Sequence, residues 1–101
     1  MLDQLLTNYI QEPESDANNF ALGRHYHGIG QLAAAVSYYV RTAERTPNPE
    51  LQYTCLILCS EIFRQLGNRA LSTKGMLLRA VSVLPQRPEA YYQLARHSHE
   101  Q

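Results

Sequence analysis

The sequence has no excess of either charge. Lys and Arg together number nine, as do Asp and Glu, so the surplus of cations that would neutralise a phosphate backbone and release its counterions is missing. Nucleic acid is not the expected partner. Long apolar runs are lacking too: the longest, around residues 32–40 and 51–59, fall short of the roughly 20 residues a membrane span needs. Residues 1–10 place Asp3 and Gln4 among leucines without a basic cluster, which is not the pattern of a secretory signal. A cytoplasmic protein with no membrane partner is the expectation. Strand-type alternation is absent, as are Gly-rich phosphate loops, nucleophile elbows and His-Glu zinc motifs.

Metal ligands are equally scarce. Cys55 and Cys59 are the only cysteines, and at i, i+4 they share a helix face, but that face is an apolar stripe in which thiols serve as packing groups. His25 and His27, like His97 and His99, are two residues apart and diverge by roughly 200° around a helix. Neither a metal, a cofactor, a disulfide nor a catalytic role is expected.

What the chain does have is helical periodicity from end to end. With 45% apolar and 18% charged residues in 101, it can bury one modest core. Leu2, Leu5, Leu6, Tyr9 and Ile10 form the stripe of a leading amphipathic helix, ended by Pro13. Ser15 or Asp16 can cap a second helix carrying Phe20, Leu22, Tyr26 and Ile29, which Gly30 breaks. Leu32, Val36, Tyr39, Val40 and Ala43 line a third, closed by the Thr-Pro-Asn-Pro run at 46–49, where Asn48 can cap and Pro49 fits the first helical position. Leu51, Cys55, Leu58, Cys59, Ile62, Phe63 and Leu66 give the strongest stripe, ending at Gly67 as a left-handed stop. Asn68 can cap a fifth helix lined by Ala70, Thr73, Leu77, Ala80 and Leu84. Pro88 and Glu89 open a sixth, through Tyr91, Leu94 and Ala95. All five prolines fall at helix ends, where a missing amide costs nothing. Short links of two to five residues force antiparallel neighbours.

Two stretches superpose at an offset of 37 residues. Tyr26, Gly30, Ala43 and Pro47 fall against Phe63, Gly67, Ala80 and, one residue out of register, Pro85. A period in this range marks stacked helical hairpins whose faces cannot be buried singly. Gly23 and Gly75 lie inside predicted helices, where glycine costs about 1 kcal/mol against alanine, and close helix contact is the expected reason for both. Tyr9, Tyr26 and Tyr39 fall on predicted inner faces. Tyr38, Tyr53 and Tyr92 are the tyrosines read as candidates for exposure beside arginines, the usual composition of an interface centre.

These residues resemble the tetratricopeptide repeat family, whose helix pairs carry a Leu-Gly or Leu-Ala step, an aromatic three residues on, a turn Gly, small residues in helix B and a closing Pro. Leu22-Gly23, Tyr26, Gly30, Ala35, Tyr39 and Pro47 match that pattern. The second copy keeps Phe63, Gly67, Ala80 and Pro85, with Cys59-Ser60 where Leu-Gly is usual and Gly75 within helix B. Residues 88–95 look like the opening of a third copy. The resemblance implies an all-α single domain of about six helices, stacked as a right-handed superhelix: a leading helix 2–12, repeats 16–47 and 49–85, and a half repeat 88–101. The half repeat is read as the point where a longer protein was cut, which leads to an expectation of self-association through an exposed C-terminal helix.

In such a stack the A helices line a concave groove. The family positions put Phe20, Arg24 and His27, then Ile57, Glu61 and Arg64, then Tyr92, Arg96 and His99 on it. A non-catalytic scaffold for a partner peptide or protein domain is the function this implies, with the three arginines forking onto carboxylates or phosphates. Phe20 and Arg24 stand where the chaperone-binding subset carries Lys and Asn, so chaperone-tail binding is not implied. The stretch from Arg87 to Tyr92 also looks like repeats adjoining glycosyltransferase domains, which makes an accessory domain of a larger enzyme the alternative.

Overall fold

Capping side chains and positive-φ glycines set several of the helix ends in this protein. The computed structural model of the chain describes residues 2–12, 15–67 and 70–100, and the side chains of all of these except 70, 71 and 98–100. Among them run six helices and no strand: α1 (Leu2–Gln11), α2 (Asp16–Gly28), α3 (Leu32–Arg45), α4 (Pro49–Leu66), α5 (Ala70–Val83) and α6 (Pro88–Glu100). None is long and apolar enough to cross a membrane. Ser15 is the cap of α2, its hydroxyl accepting from the Asn18 amide at 3.3 Å. Asn48 caps α4 by accepting from the Glu50 and Leu51 amides at 3.0 and 3.4 Å, with Pro49 at the first helical position. Pro13 and Asn68, read as a stop and a cap, lie outside the described residues.

The α2–α3 turn is a Schellman motif. Gly30 takes a positive φ of 82°, its amide donates to the His27 carbonyl at 3.2 Å, and the Gln31 amide donates to the Tyr26 carbonyl at 2.9 Å. These two bonds satisfy carbonyls that a helix end otherwise leaves open. Gly67 stops α4 with φ 69° and ψ 169°. That is not the left-handed helical region anticipated from the sequence but a region open essentially to glycine alone.

The principal packings join chain neighbours, from α1 on α2 through to α5 on α6, and the molecule extends 43 × 27 × 17 Å. Tyr39, Ala35 and Ala43 of α3 and Cys55, Leu56, Cys59 and Ile62 of α4 form the centre of the core, reached by Ala80 of α5 and Ala90 of α6. Helix α4 is buried over about half its circumference, because Tyr53, Leu56 and Ser60 are covered as well as Cys55, Cys59 and Ile62. The stripe read from the sequence captured one edge of that arc. It missed Leu56, which is fully buried, and included Leu58, half-buried, and Leu66, which is exposed.

Among the described side chains of α6, Ala90 and His97 are buried, whereas Tyr91 is 49% exposed and Ala95 lies on the surface. Helix α6 therefore turns a face toward α4 and α5 that is offset from its most apolar one. Two other expectations are corrected. Tyr53 is 5% exposed, its hydroxyl satisfied internally. Gly75 has nothing within 4 Å of where a Cβ would stand, so no close helix contact accounts for it.

Gly23 is the opposite case. A Cβ there would meet the Tyr39 ring at 2.7 and 2.8 Å and the Tyr38 Cβ at 3.4 Å, and the Tyr39 side chain is fully buried with no room to retreat. Gly23→Ala is expected to lower stability by about 1–2 kcal/mol, overpacking outweighing the gain in helix propensity. Gly75→Ala, with only the propensity gain, is expected to raise stability by up to about 1 kcal/mol. Urea unfolding of the two variants checks the contrast, and a stabilised Gly23→Ala would remove the close approach from the account.

Candidate functional site

Glu50 and Arg87 pair across the seam between α4 and the start of α6, Tyr53 reaches the backbone of Ala90, and Glu61 meets Arg96 at 3.3 Å. Positions on the two helices thus rise together, so α4 and α6 run side by side in the same direction. Ser60 joins them midway, its hydroxyl 2.7 Å from the Ile57 carbonyl and 3.0 Å from the Gln93 carboxamide oxygen. Tyr53 is the central member. Its oxygen accepts from the Ala90 amide at 3.0 Å while its proton points to Glu89 Oε2 at 3.3 Å. Ala90 is in the first turn of α6, where amides have no intrahelical partner, so a phenol from another helix does the work of an N-cap. Burial pushes the Tyr53 hydroxyl above its usual pKa, and the Ala90 amide partly offsets the rise.

Beside this seam Glu50, Thr54, Ile57 and Leu58 of α4 and Arg87 and Glu89 line an open cleft of about 210 Å³. That is less than the roughly 300 Å³ at which small-molecule pockets begin and sufficient for one or two side chains of a peptide.

The residues assigned to a groove from the sequence fall into three groups. Phe20 and Ile57 are half-buried and pack against the core, the Phe20 ring 5.8 Å from that of Tyr39. Glu61 lies between two guanidinium groups, Arg96 at 3.3 Å and Arg64 at 3.8 Å. Such exposed pairs are worth at most about 1 kcal/mol each, so they set local charge more than stability. Tyr92 is 76% exposed on α6, and the side chain of His99 lies outside the described residues.

Arg24 and His27 make the third group, one turn apart on α2. His27 Nδ1 lies 3.1 Å from the hydroxyl of buried Tyr39, whose pKa burial raises while the nearby charge of Arg24 partly offsets the rise. Arg24, His27 and Gly28 line an open surface depression.

Two features escaped sequence reasoning. One is the capping role of Tyr53, signalled only by its lying 37 residues ahead of Ala90. The other is an aromatic cluster that fastens α1. Tyr9 meets Tyr38 edge-on at 5.9 Å, Tyr38 stacks on Tyr26 at 5.7 Å with planes 5° apart, and Arg41 lies over both Tyr9 and Tyr38 while hydrogen-bonding the Tyr9 hydroxyl. Asn18 completes the attachment, donating to the Asn8 and Glu12 carbonyls at 3.0 and 3.3 Å. Ile10, read as part of the inward stripe, is 76% exposed.

Cys55 and Cys59 are buried free thiols, and burial pushes each up to about 12, so neither supplies a thiolate near neutral pH. Among the described residues no three His, Cys, Asp or Glu side chains converge as a metal site would require. Compared with models of protein families and with curated protein sequences, the chain matches none.

Removing the Tyr53 hydroxyl isolates the seam. Tyr53→Phe keeps the ring and strips the cap from α6, and about 1–2 kcal/mol of stability is expected to go with it. The amides of the first turn of α6 should then exchange faster than those of α2. Unchanged exchange in α6 would mean that the phenol does not hold this helix.

Proposed function

We propose that this chain is a helical-repeat interaction module of the tetratricopeptide type, a cytoplasmic, non-catalytic scaffold. Its A helices α2, α4 and α6 follow one another in a right-handed superhelix and present a concave surface to an extended partner segment. The observation that carries the reading is a coincidence of two independent spacings. The sequence repeats at 37 residues, and the contacts from Glu50 to Arg87 and from Tyr53 to Ala90 each span that same 37. Equivalent helices packed side by side at one repeat length are what a solenoid requires, since each repeat touches its neighbour and little else.

The surface so formed suits a peptide. Ile57 and Leu58 offer partly buried apolar anchors beside a small cleft, Glu61, Arg64 and Arg96 offer a mixed charged rim, and Arg24 with His27 offers a basic end. Apolar centre and polar rim is the ordinary anatomy of recognition surfaces. Self-association through α6 belongs to the same reading, because Tyr91 and Tyr92 remain exposed on it.

Selection from a displayed library of random peptides tests this. Selected peptides are expected to lose at least tenfold in affinity for Ile57→Glu and to be indifferent to Ala33→Glu on the exposed side of α3, with both variants keeping the wild-type circular dichroism. Peptides insensitive to Ile57→Glu would place recognition elsewhere and end the groove reading.

A further inference from the structure

The cleft between α4 and the start of α6 offers acceptors and few donors. Tyr53 donates its one proton to Glu89 Oε2, and its oxygen accepts from the Ala90 amide. Thr54 donates its own proton to the Glu50 carbonyl at 3.0 Å, so toward a ligand that hydroxyl can only accept. Arg87 is the one lining side chain with donors left, and it is paired with Glu50. Ile57 and Leu58 form the apolar wall.

Charge leans the same way. Glu50 and Glu89 stand against Arg87 alone, which leaves one negative charge on the cleft. That charge resides on Glu89, which forms no ion pair among the described residues. A carboxylate has about four acceptor positions, and Tyr53 occupies one of them. Because Tyr53 is itself buried, it orients Glu89 before any ligand arrives, and less freedom is lost on binding. The first turn of a helix ordinarily opposes a cation, since its open amides carry partial positive charge. Here the Ala90 amide is closed by the phenol, and Glu89 sets a full negative charge beside it.

We infer that this cleft is a subsite for a lysine side chain of the partner segment, its ammonium donating to Glu89 and the Thr54 hydroxyl and its aliphatic stem lying on Ile57 and Leu58. An ammonium suits the acceptors better than a guanidinium. A fork uses both oxygens of one carboxylate, and Glu89 Oε2 already accepts from Tyr53, whereas three rotatable donors reach acceptors on different helices. Among the described residues no third His, Cys, Asp or Glu joins the two carboxylates, so the donor set fits an organic cation and not a metal ion. The inference rests on the groove reading, but its test separates the two.

Nitrogen-15 NMR titration of the whole chain with n-butylammonium, n-butylguanidinium and n-butanol tests the subsite. n-Butylammonium is expected to shift the Thr54, Leu58 and Glu89 amide signals at millimolar concentration and to bind more tightly than either comparator. Glu89→Gln keeps an acceptor for Tyr53 and removes the charge. It is expected to weaken n-butylammonium binding about fivefold, with the circular dichroism unchanged. Tighter binding of n-butylguanidinium or n-butanol, shifts centred on Glu61, or affinity unchanged by Glu89→Gln would overturn the subsite. A double-mutant cycle extends the test to the partner. In peptides selected on the groove, replacing lysine by norleucine is expected to cost about fivefold in wild type and nothing in Glu89→Gln. If selected peptides depend on Ile57 but carry no lysine coupled to Glu89, the groove stands and the subsite falls. If n-butylammonium binds as expected while no peptide depends on Ile57, the subsite stands without the groove.

Discussion

The contact between Gly23 and the ring of Tyr39 is the constraint on which the rest depends. Tyr39 is a large side chain with no exposed surface, and it fits between α2 and α4 only because α2 has no Cβ where the ring lies. From that position it touches almost everything that defines the first hairpin and its junction with the second. Phe20 and His27 pack against its ring, His27 meets its hydroxyl, and Cys55 and Cys59 share its core cluster. One ring thus couples the packing of three helices to the placement of the His27 imidazole. Interiors packed to this density transmit small changes of volume directly.

The second junction is built from different material. Where Gly23 admits a ring, the residue 37 positions later is Ser60, which is buried and faces Gln93. Where α2, α3 and α4 meet through aromatic and thiol groups, α4 and α6 meet through a phenol, a hydroxyl, a carboxamide and two ion pairs. Apolar burial contributes about 25 cal/mol for each Å² removed from water, whereas exposed ion pairs add little. Helix α6 is accordingly the more weakly held element, and α1, with no fully buried residue, is weakly held at the opposite end.

Much of this was legible in the sequence because turn chemistry is local. Gly30, Asn48, Pro49 and Pro88 each demand or permit a single backbone arrangement, and the helices begin and end at them. Gly23 was legible as a close approach from its place inside a helix, an argument that failed at Gly75. The failures share a cause in tertiary context. Helix α4 is covered over half its surface, so a stripe of helical period found one edge and left out Leu56 and Tyr53. A tyrosine reads as apolar or polar depending on what its hydroxyl meets, and the partner of Tyr53 is a backbone amide on another helix. In α6 the small residue Ala90 faces inward because that phenol needs space at the helix start, which leaves the larger Tyr91 outside. Among the groove residues, sequence could place Arg24, Arg64 and Arg96 on A helices. It could not tell that Arg64 and Arg96 share one carboxylate, that of Glu61.

The closeness of Tyr39 to Gly23 is directly measurable by NMR. Strong nuclear Overhauser effects between the Tyr39 ring protons and the Gly23 Hα protons, with those Hα resonances displaced by the ring current, are the result this account predicts. Gly23 Hα protons at ordinary shifts, without cross-peaks to Tyr39, would contradict it, because the hairpin, its junction with α4 and the setting of His27 all follow from that one approach.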